Sequence, residues 1–180
     1  MKKVFGTIMA LACVQMPDGA IGNGDDLIWK KLAGDMDGFK IRTTDQVVIY
    51  GRKTLKSFKY RALPNRINIV VTTDPDSLKQ YEEIRAVSSP LEALQLARSL
   101  WPEKDICVIG GAQIYKELFP YCEIFYVTEV FGNKEATTFI EIPGYFIEIP
   151  DSRQHGSDES IPYYFVEYGN PTPLEIPMAA

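Results

Sequence analysis

The sequence predicts an α/β protein of one domain: a mainly parallel, twisted sheet with helices on both faces and an antiparallel C-terminal edge. Three observations predict it. Short apolar, β-branched runs alternate with helical patterns through about residue 120. Two of those runs, Val48-Ile49-Tyr50 and Cys107-Val108-Ile109, end in glycine and pass directly into a helical pattern, as parallel βα units do. Beyond residue 120, strand patterns at 123–131, 145–149 and 163–168 follow one another without intervening helices, the pattern of antiparallel pairing. A chain of 180 residues can bury one sizeable core.

Residues 4–14 form an apolar run that predicts a buried first strand. Met1-Lys2-Lys3 before that run also fits a short secretory or lipoprotein signal, but the run's length and β-branched content favour a strand. Met16-Pro17-Asp18-Gly19 is a turn, and a glycine-rich loop leads to Trp29. A short helix opens at Asp35. Strands are predicted at 46–50, 67–73 and 84–87, with a helix entered at Gly51 and a turn at Leu63-Pro64-Asn65-Arg66. Ser89-Pro90-Leu91-Glu92 starts a helix: the serine caps, proline suits the first helical position, and Glu92 completes a capping box. That helix presents Leu91, Leu94 and Ala97 on one face and stops near Trp101-Pro102. A strand at 105–109 runs through Gly110-Gly111 into a helix striped with Ile114, Tyr115, Leu118 and Phe119, and residues 170–180 form a tail.

Composition removes several function classes. A net charge of −5 argues against nucleic acid or an anionic membrane as the main partner, while leaving room for a local phosphate pocket. No run approaches the roughly 20 apolar residues of a membrane span. Cys13, Cys107 and Cys122 make an odd, widely spaced set, which points to a reducing compartment, hence the cytoplasm. One histidine and no Cys-x-x-Cys leave no expected metal site, and a serine triad would have to use His155 in a polar C-terminal loop.

The chemistry that remains centres on Asp35. Asp35 and Phe39 share a helix face, with Met36 and Leu32 on the apolar side. Burial beside apolar residues raises an acid's pKa and suits a proton donor, whereas exposure would make Asp35 a partner of the helix dipole; both readings fit. The two glycine turns, Gly51-Arg52-Lys53-Thr54 and Gly110-Gly111-Ala112, fall at strand C-termini, where α/β sheets bind ligands and new helices attract phosphate. Either motif taken alone reads first as a structural glycine at a strand-helix turn. The first lacks the glycine spacing of a phosphate-binding loop, and Gly22-Asn23-Gly24 does not continue as Gly-x-Gly-x-x-Gly. Arg66 is either a surface charge or a guanidinium fork for a ligand carboxylate, and Thr72-Thr73 either caps a helix or binds phosphate.

Taken together and in order, these pieces resemble dihydrofolate reductase over residues 9–139. The resemblance rests on Ile21-Gly22 with Trp29, Leu32-Ala33-Gly34-Asp35 with Phe39-Lys40, Val48 to Thr54, Ser57, Leu63 to Arg66, Thr72-Thr73, Val108 to Ala112 with Tyr115, and Tyr126-Val127-Thr128. It implies a dihydrofolate reductase-like fold in which NADPH reduces 7,8-dihydrofolate, hydride going to C6 and a proton to N5. It implies that Asp35, hydrogen-bonded by Thr128, holds the pterin and supports N5 protonation, and that Trp29 orders the water involved. Met36, Phe39, Phe58, Leu63 and Ile109 would wall the substrate, Arg66 would take its glutamate carboxylate, and the backbone near Ala12 would supply carbonyls. Ile21, Gly22, Gly51, Arg52, Lys53, Thr54, Thr72, Thr73, Gly110, Gly111, Ala112, Gln113, Ile114 and Tyr115 would hold the cofactor, Arg52 and Thr72 lying where a 2′-phosphate would sit. The Gly110-Gly111 peptide would be cis.

The chain departs from the family pattern at Ile28 and Ala33, which replace prolines, at Gln113, where some members carry arginine, and at residues 136–139, which lack an aspartate. A Met-Pro-Asp insertion lengthens the turn after the first strand. A monomer acting on a small molecule is expected. Two alternatives stay open on the residues: a pyrimidine reductase of flavin synthesis on the same fold, and a nucleotide-binding module without catalysis.

Overall fold

The strand at the centre of the sheet is β1 (Ile8–Gln15), apolar on both sides from Ile8 to Val14 because both faces are covered. The computed structural model describes residues 4–157 and 160–178. Met1-Lys2-Lys3 and the last two residues of the tail lie outside them. In chain order β1 is followed by β2 (Ala20–Asn23), β3 (Asp26–Leu27), α1 (Asp35–Thr43), β4 (Val47–Gly51), α2 (Arg52–Ser57), β5 (Ile67–Val71), β6 (Ile84–Val87), α3 (Pro90–Leu100) and β7 (Ile106–Val108). Then come α4 (Ala112–Leu118), β8 (Ile124–Val130), β9 (Thr138–Phe139), β10 (Ile147–Glu148), β11 (Gln154–His155) and β12 (Tyr163–Gly169).

The strand order is β10-β12-β8-β1-β7-β4-β5-β6. β1, β4, β5, β6, β7 and β8 pair in parallel. β12 closes the edge antiparallel to β8, with β10 and β11 antiparallel to it. The predicted fold class therefore holds, edge included. All the parallel strands end on one side of the sheet, so the glycine turns after β4 and β7 and the end of β1 converge there.

Alternation divides the core. Ile8, Ala10 and Val14 face a cluster with Ile49, Ile69, Leu94, Ala97, Tyr115 and Phe119 beneath α3 and α4. Met9 and Leu11 face the opposite cluster, with Val48, Tyr50, Leu55 and Val70. Phe39, Phe58, Leu63 and Ile109 are its partly buried margin, an apolar rim on the α1–α2 side.

Four expectations are corrected. The first strand begins at Ile8, not residue 4: Val4 and Phe5 are exposed, and the amides of residues 6 and 7 bond outside the ladder. Gly6 donates to Pro102 O at 2.9 Å, and the Thr7 amide to Asp105 Oδ1 at 2.8 Å. The glycine-rich loop is a hairpin, β2 with β3, turning at Gly24 (φ +61), and β2 also pairs with β9. Glu92 does not close a box onto Ser89. Ser89 Oγ accepts the Glu92 amide at 3.1 Å, but the Glu92 carboxylate reaches back to the Ser88 amide and hydroxyl at 2.8 and 2.7 Å, a site with two donors. Met36 is 47% exposed and joins none of the core clusters, because one residue along α1 turns it about 100° from Asp35 and toward solvent.

Candidate active site

Asp35 is the first residue of α1, entered through Gly34 in the left-handed region (φ 80). Its carboxylate turns inward and not to water. Thr128 Oγ1, in the middle of β8, donates to Asp35 Oδ1 at 2.6 Å. Burial pushes the Asp35 carboxyl above its ordinary value, and the Thr128 hydrogen bond opposes that by favouring the anion. Asp35 is therefore half-buried, and it is not a wholly solvated partner of the helix dipole.

Around it lie residues of β1. Cys13 pairs in register with Thr128. Leu11 O accepts the Tyr115 hydroxyl at 2.5 Å, and Ala12 packs against the α3–α4 side of the core. Trp29 is buried with Ala20, Ile28, Leu32, Val130 and Tyr163, beside Cys13 and Phe165. Its indole Nε1 is a buried donor with no hydrogen-bond partner among the described residues.

Arg66, at the start of β5, is held from behind. Its Nε and Nη2 donate to the buried Thr43 hydroxyl at 3.1 and 3.0 Å, and Nη1 to Pro64 O at 2.7 Å. No carboxylate pairs with it among the described residues. Thr43 was not a candidate from the sequence; its hydroxyl also donates to Phe39 O at 2.8 Å, so one side chain links the guanidinium to α1.

The cofactor candidates gather at two helix starts. Gly51 before α2 and Gly111 before α4 cap without any side-chain hydrogen bond. They face each other: a Cβ on Gly51 would lie 3.2 Å from Ile114 and 4.0 Å from the Gly111 nitrogen, and one on Gly111 would lie 3.8 Å from Thr54 Oγ1. Gly51 N donates to Gly110 O at 2.9 Å, and the Gly110-Gly111 peptide is cis. Gly110 sits at φ +109 with the Tyr115 ring 3.0 Å from where a Cβ would be, so no larger residue fits. Arg52 Nη1 donates to Thr72 Oγ1 at 3.4 Å and to Ser77 Oγ. Paired backbone amides with a guanidinium at their edge fit a dinucleotide. Within this set, Lys53 and Gln113 are exposed, and Gln113 is tied to Glu117 at 2.7 Å. Ile114 and Tyr115 are buried, so they stand behind the glycines.

Ile21 and Gly22 lie in β2, which Thr137 holds down. Thr137 N donates to Gly22 O at 2.9 Å, and Thr137 Oγ1 accepts the Gly24 amide at 2.8 Å. A threonine hydroxyl thus serves the hairpin in the segment that lacks the family's aspartate.

The chain matches the family model for dihydrofolate reductase over residues 7–170. It belongs to the dihydrofolate reductase family. It is 40% identical over 144 residues to the dihydrofolate reductase of Bacillus subtilis (strain 168), covering 79% of this chain and 82% of that one. It is 32% identical over 165 residues to that of Neisseria gonorrhoeae, covering 90% and 96%. It superposes with a TM-score of 0.81 and 27% identity on the Enterococcus faecalis dihydrofolate reductase complexed with NADP(H) and RAB-propyl, covering 93% of this chain and 99% of that one.

Burial pushes all three cysteines up, Cys107 to about 12, and at Cys13 the Asp35 charge adds to the rise while Lys134 opposes it. The native protein should therefore resist iodoacetamide at pH 7.5 and take up three alkyl groups when denatured. Rapid alkylation of Cys13 in the native state, read by peptide mass, would contradict this.

Proposed function

We propose that this chain is a dihydrofolate reductase in activity as well as in family: it reduces 7,8-dihydrofolate to 5,6,7,8-tetrahydrofolate with NADPH. The observation that carries the reading is the half-buried Asp35–Thr128 pair beside Cys13 of β1. Asp35 holds the pterin's ring nitrogen and amino group and supports protonation at N5. Thr128 fixes the carboxylate's orientation. The free Trp29 Nε1 supports a role in ordering the water that carries the proton. Phe39, Phe58, Leu63 and Ile109 wall the rings, and Met36, half exposed, is available to close on a bound substrate. Arg66 takes the α-carboxylate of the glutamate tail, and the backbone near Ala12 lies beside the pterin.

When bound, NADPH supplies the hydride. The chain's part is to hold that cofactor on the Gly51–Thr54 and Gly110–Ala112 turns, to align the two rings and to exclude water. Decay of absorbance at 340 nm on adding dihydrofolate, and none with NADPH alone, tests the reading. No observation favours the pyrimidine reductase or the non-catalytic module. Free Cys13, Cys107 and Cys122 support a reducing compartment such as the cytoplasm, a net charge of −5 argues against a nucleic-acid partner, and no helix among the described residues is long and apolar enough to cross a membrane.

Arg52, anchored on Thr72 and Ser77, supports selection of a 2′-phosphate. Arg52→Ala should cut the NADPH-over-NADH preference in kcat/KM by about tenfold or more, the worth of a charge-assisted hydrogen bond. Equal efficiencies with the two cofactors in the unaltered protein would sink the assignment.

A further inference from the structure

Residues 28–34, which carry Trp29 to Asp35, have no regular secondary structure. No ladder holds the indole, yet it is 6% exposed. Besides its packing against Val130 and Tyr163, it is held by the loop after β8. Gly132 lies against the ring edge, since a Cβ there would fall 2.4 Å from Trp29 Cζ2. Lys134 Nζ rests 4.0 Å from the ring centroid and donates to Ile28 O at 3.0 Å. The lysine's own backbone is fixed: its amide donates to Gln15 Oε1 at 2.9 Å, and Gln15 Nε2 donates back to Lys134 O at 3.1 Å. Gln15 ends β1 and is 1% exposed, so the anchor is rigid.

We propose that Lys134 is a positioning residue for this site: its ammonium on the indole face and its hydrogen bond to the preceding carbonyl hold Trp29 in register with Asp35. The proposal rests on the roles of Trp29 and Asp35 given above. Two contacts from one cation define both the ring's plane and the height of the strandless segment beneath it. Cys13, which packs with Trp29, lies within reach of the charges of both Asp35 and Lys134, so the lysine stands on the site's side of the loop. A cation over an indole is attracted by the ring's electron-rich face, and the attraction survives replacement by arginine but not by an apolar side chain of equal length.

The test uses Lys134→Met and Lys134→Arg, with Trp101→Phe in every chain so that fluorescence reports Trp29 alone. Lys134→Met should open Trp29 to acrylamide quenching and raise KM for dihydrofolate about tenfold. The NADPH Kd and the thermal midpoint should stay near wild type. Lys134→Arg should keep quenching and KM within about twofold of wild type. Unchanged quenching and KM in Lys134→Met overturn the proposal. So does equal failure of Lys134→Arg, or a loss of NADPH affinity and midpoint in step with KM, either of which marks a merely structural contact. If the unaltered protein does not turn over dihydrofolate while Lys134→Met alone exposes Trp29, the enzymatic reading fails and the hold on Trp29 stands.

Discussion

Asp35→Asn is expected to slow single-turnover reduction of dihydrofolate at pH 8 by about 10²- to 10⁴-fold, the usual worth of a positioned proton-handling group, with NADPH affinity unchanged. The substitution keeps the local shape. An asparagine Oδ1 can still accept the Thr128 hydroxyl that now sits 2.6 Å from the carboxylate. What is lost is an ionisable group whose burial makes it a better acid holder than a solvated aspartate. The loss should shrink toward pH 5, where solvent protonates the substrate without help. Asp37→Asn is the control: it is exposed, two residues on, and about 200° round the helix. Wild-type rates for Asp35→Asn at pH 8, or equal failure of Asp37→Asn, would remove Asp35 from its role.

The same carboxyl has a stability consequence of opposite sign. Its folded pKa lies above the ordinary 3.8, so the folded state holds the proton more tightly than the unfolded state. Stability contributed by the protonated group is full below pH 3.8 and is lost as pH rises through the folded value. Asp35→Asn should therefore raise the urea midpoint at pH 7, and raise it less at pH 4.5. An inactive but more stable variant is the signature of a group retained for chemistry.

Legibility in the sequence followed the length and burial of each element. β4 and β7 are continuous apolar runs because both their faces are covered, and β8 is mostly so, interrupted by the buried Thr128 and Glu129; the positions of all three were readable to within a residue or two. β2, β3 and β9 are two to four residues long, too short for alternation to show, although Asn23-Gly24 is a hairpin signal that could have found the first two. At the site, Asp35, Arg66 and both glycine turns stood out as chemistry at strand or helix ends. Met36 did not behave as its hydrophobicity suggested, since a short helix on the rim of a sheet leaves part of its circumference in water. Thr43, Thr137 and Lys134 were invisible: each acts through a contact 20 or more residues away that no local pattern encodes.

Arg66→Ala is expected to weaken dihydrofolate binding by about 1.5–3 kcal/mol, about 10- to 150-fold in Kd, as for a lost hydrogen bond between charged groups. The guanidinium is held in place by the protein itself. Thr43 Oγ1 accepts from both Nε and Nη2, and Pro64 O accepts from Nη1, so the plane of the fork is set by a buried hydroxyl and a turn carbonyl. Little side-chain entropy remains to be lost on binding, which raises the yield of each new hydrogen bond. Arg66→Lys should recover only part of the affinity, because a point charge cannot reproduce a bidentate fork. Thr43→Val should cost less than Arg66→Ala, since it loosens the fork without removing it. NADPH affinity should not move, as Arg66 lies at the N-terminal end of β5 and Arg52 anchors at the other. The deciding comparison is a pterin without the glutamate tail. Arg66→Ala should bind it as wild type does, and an equal loss for the tail-less ligand would show that Arg66 supports the pocket's shape and does not read the carboxylate.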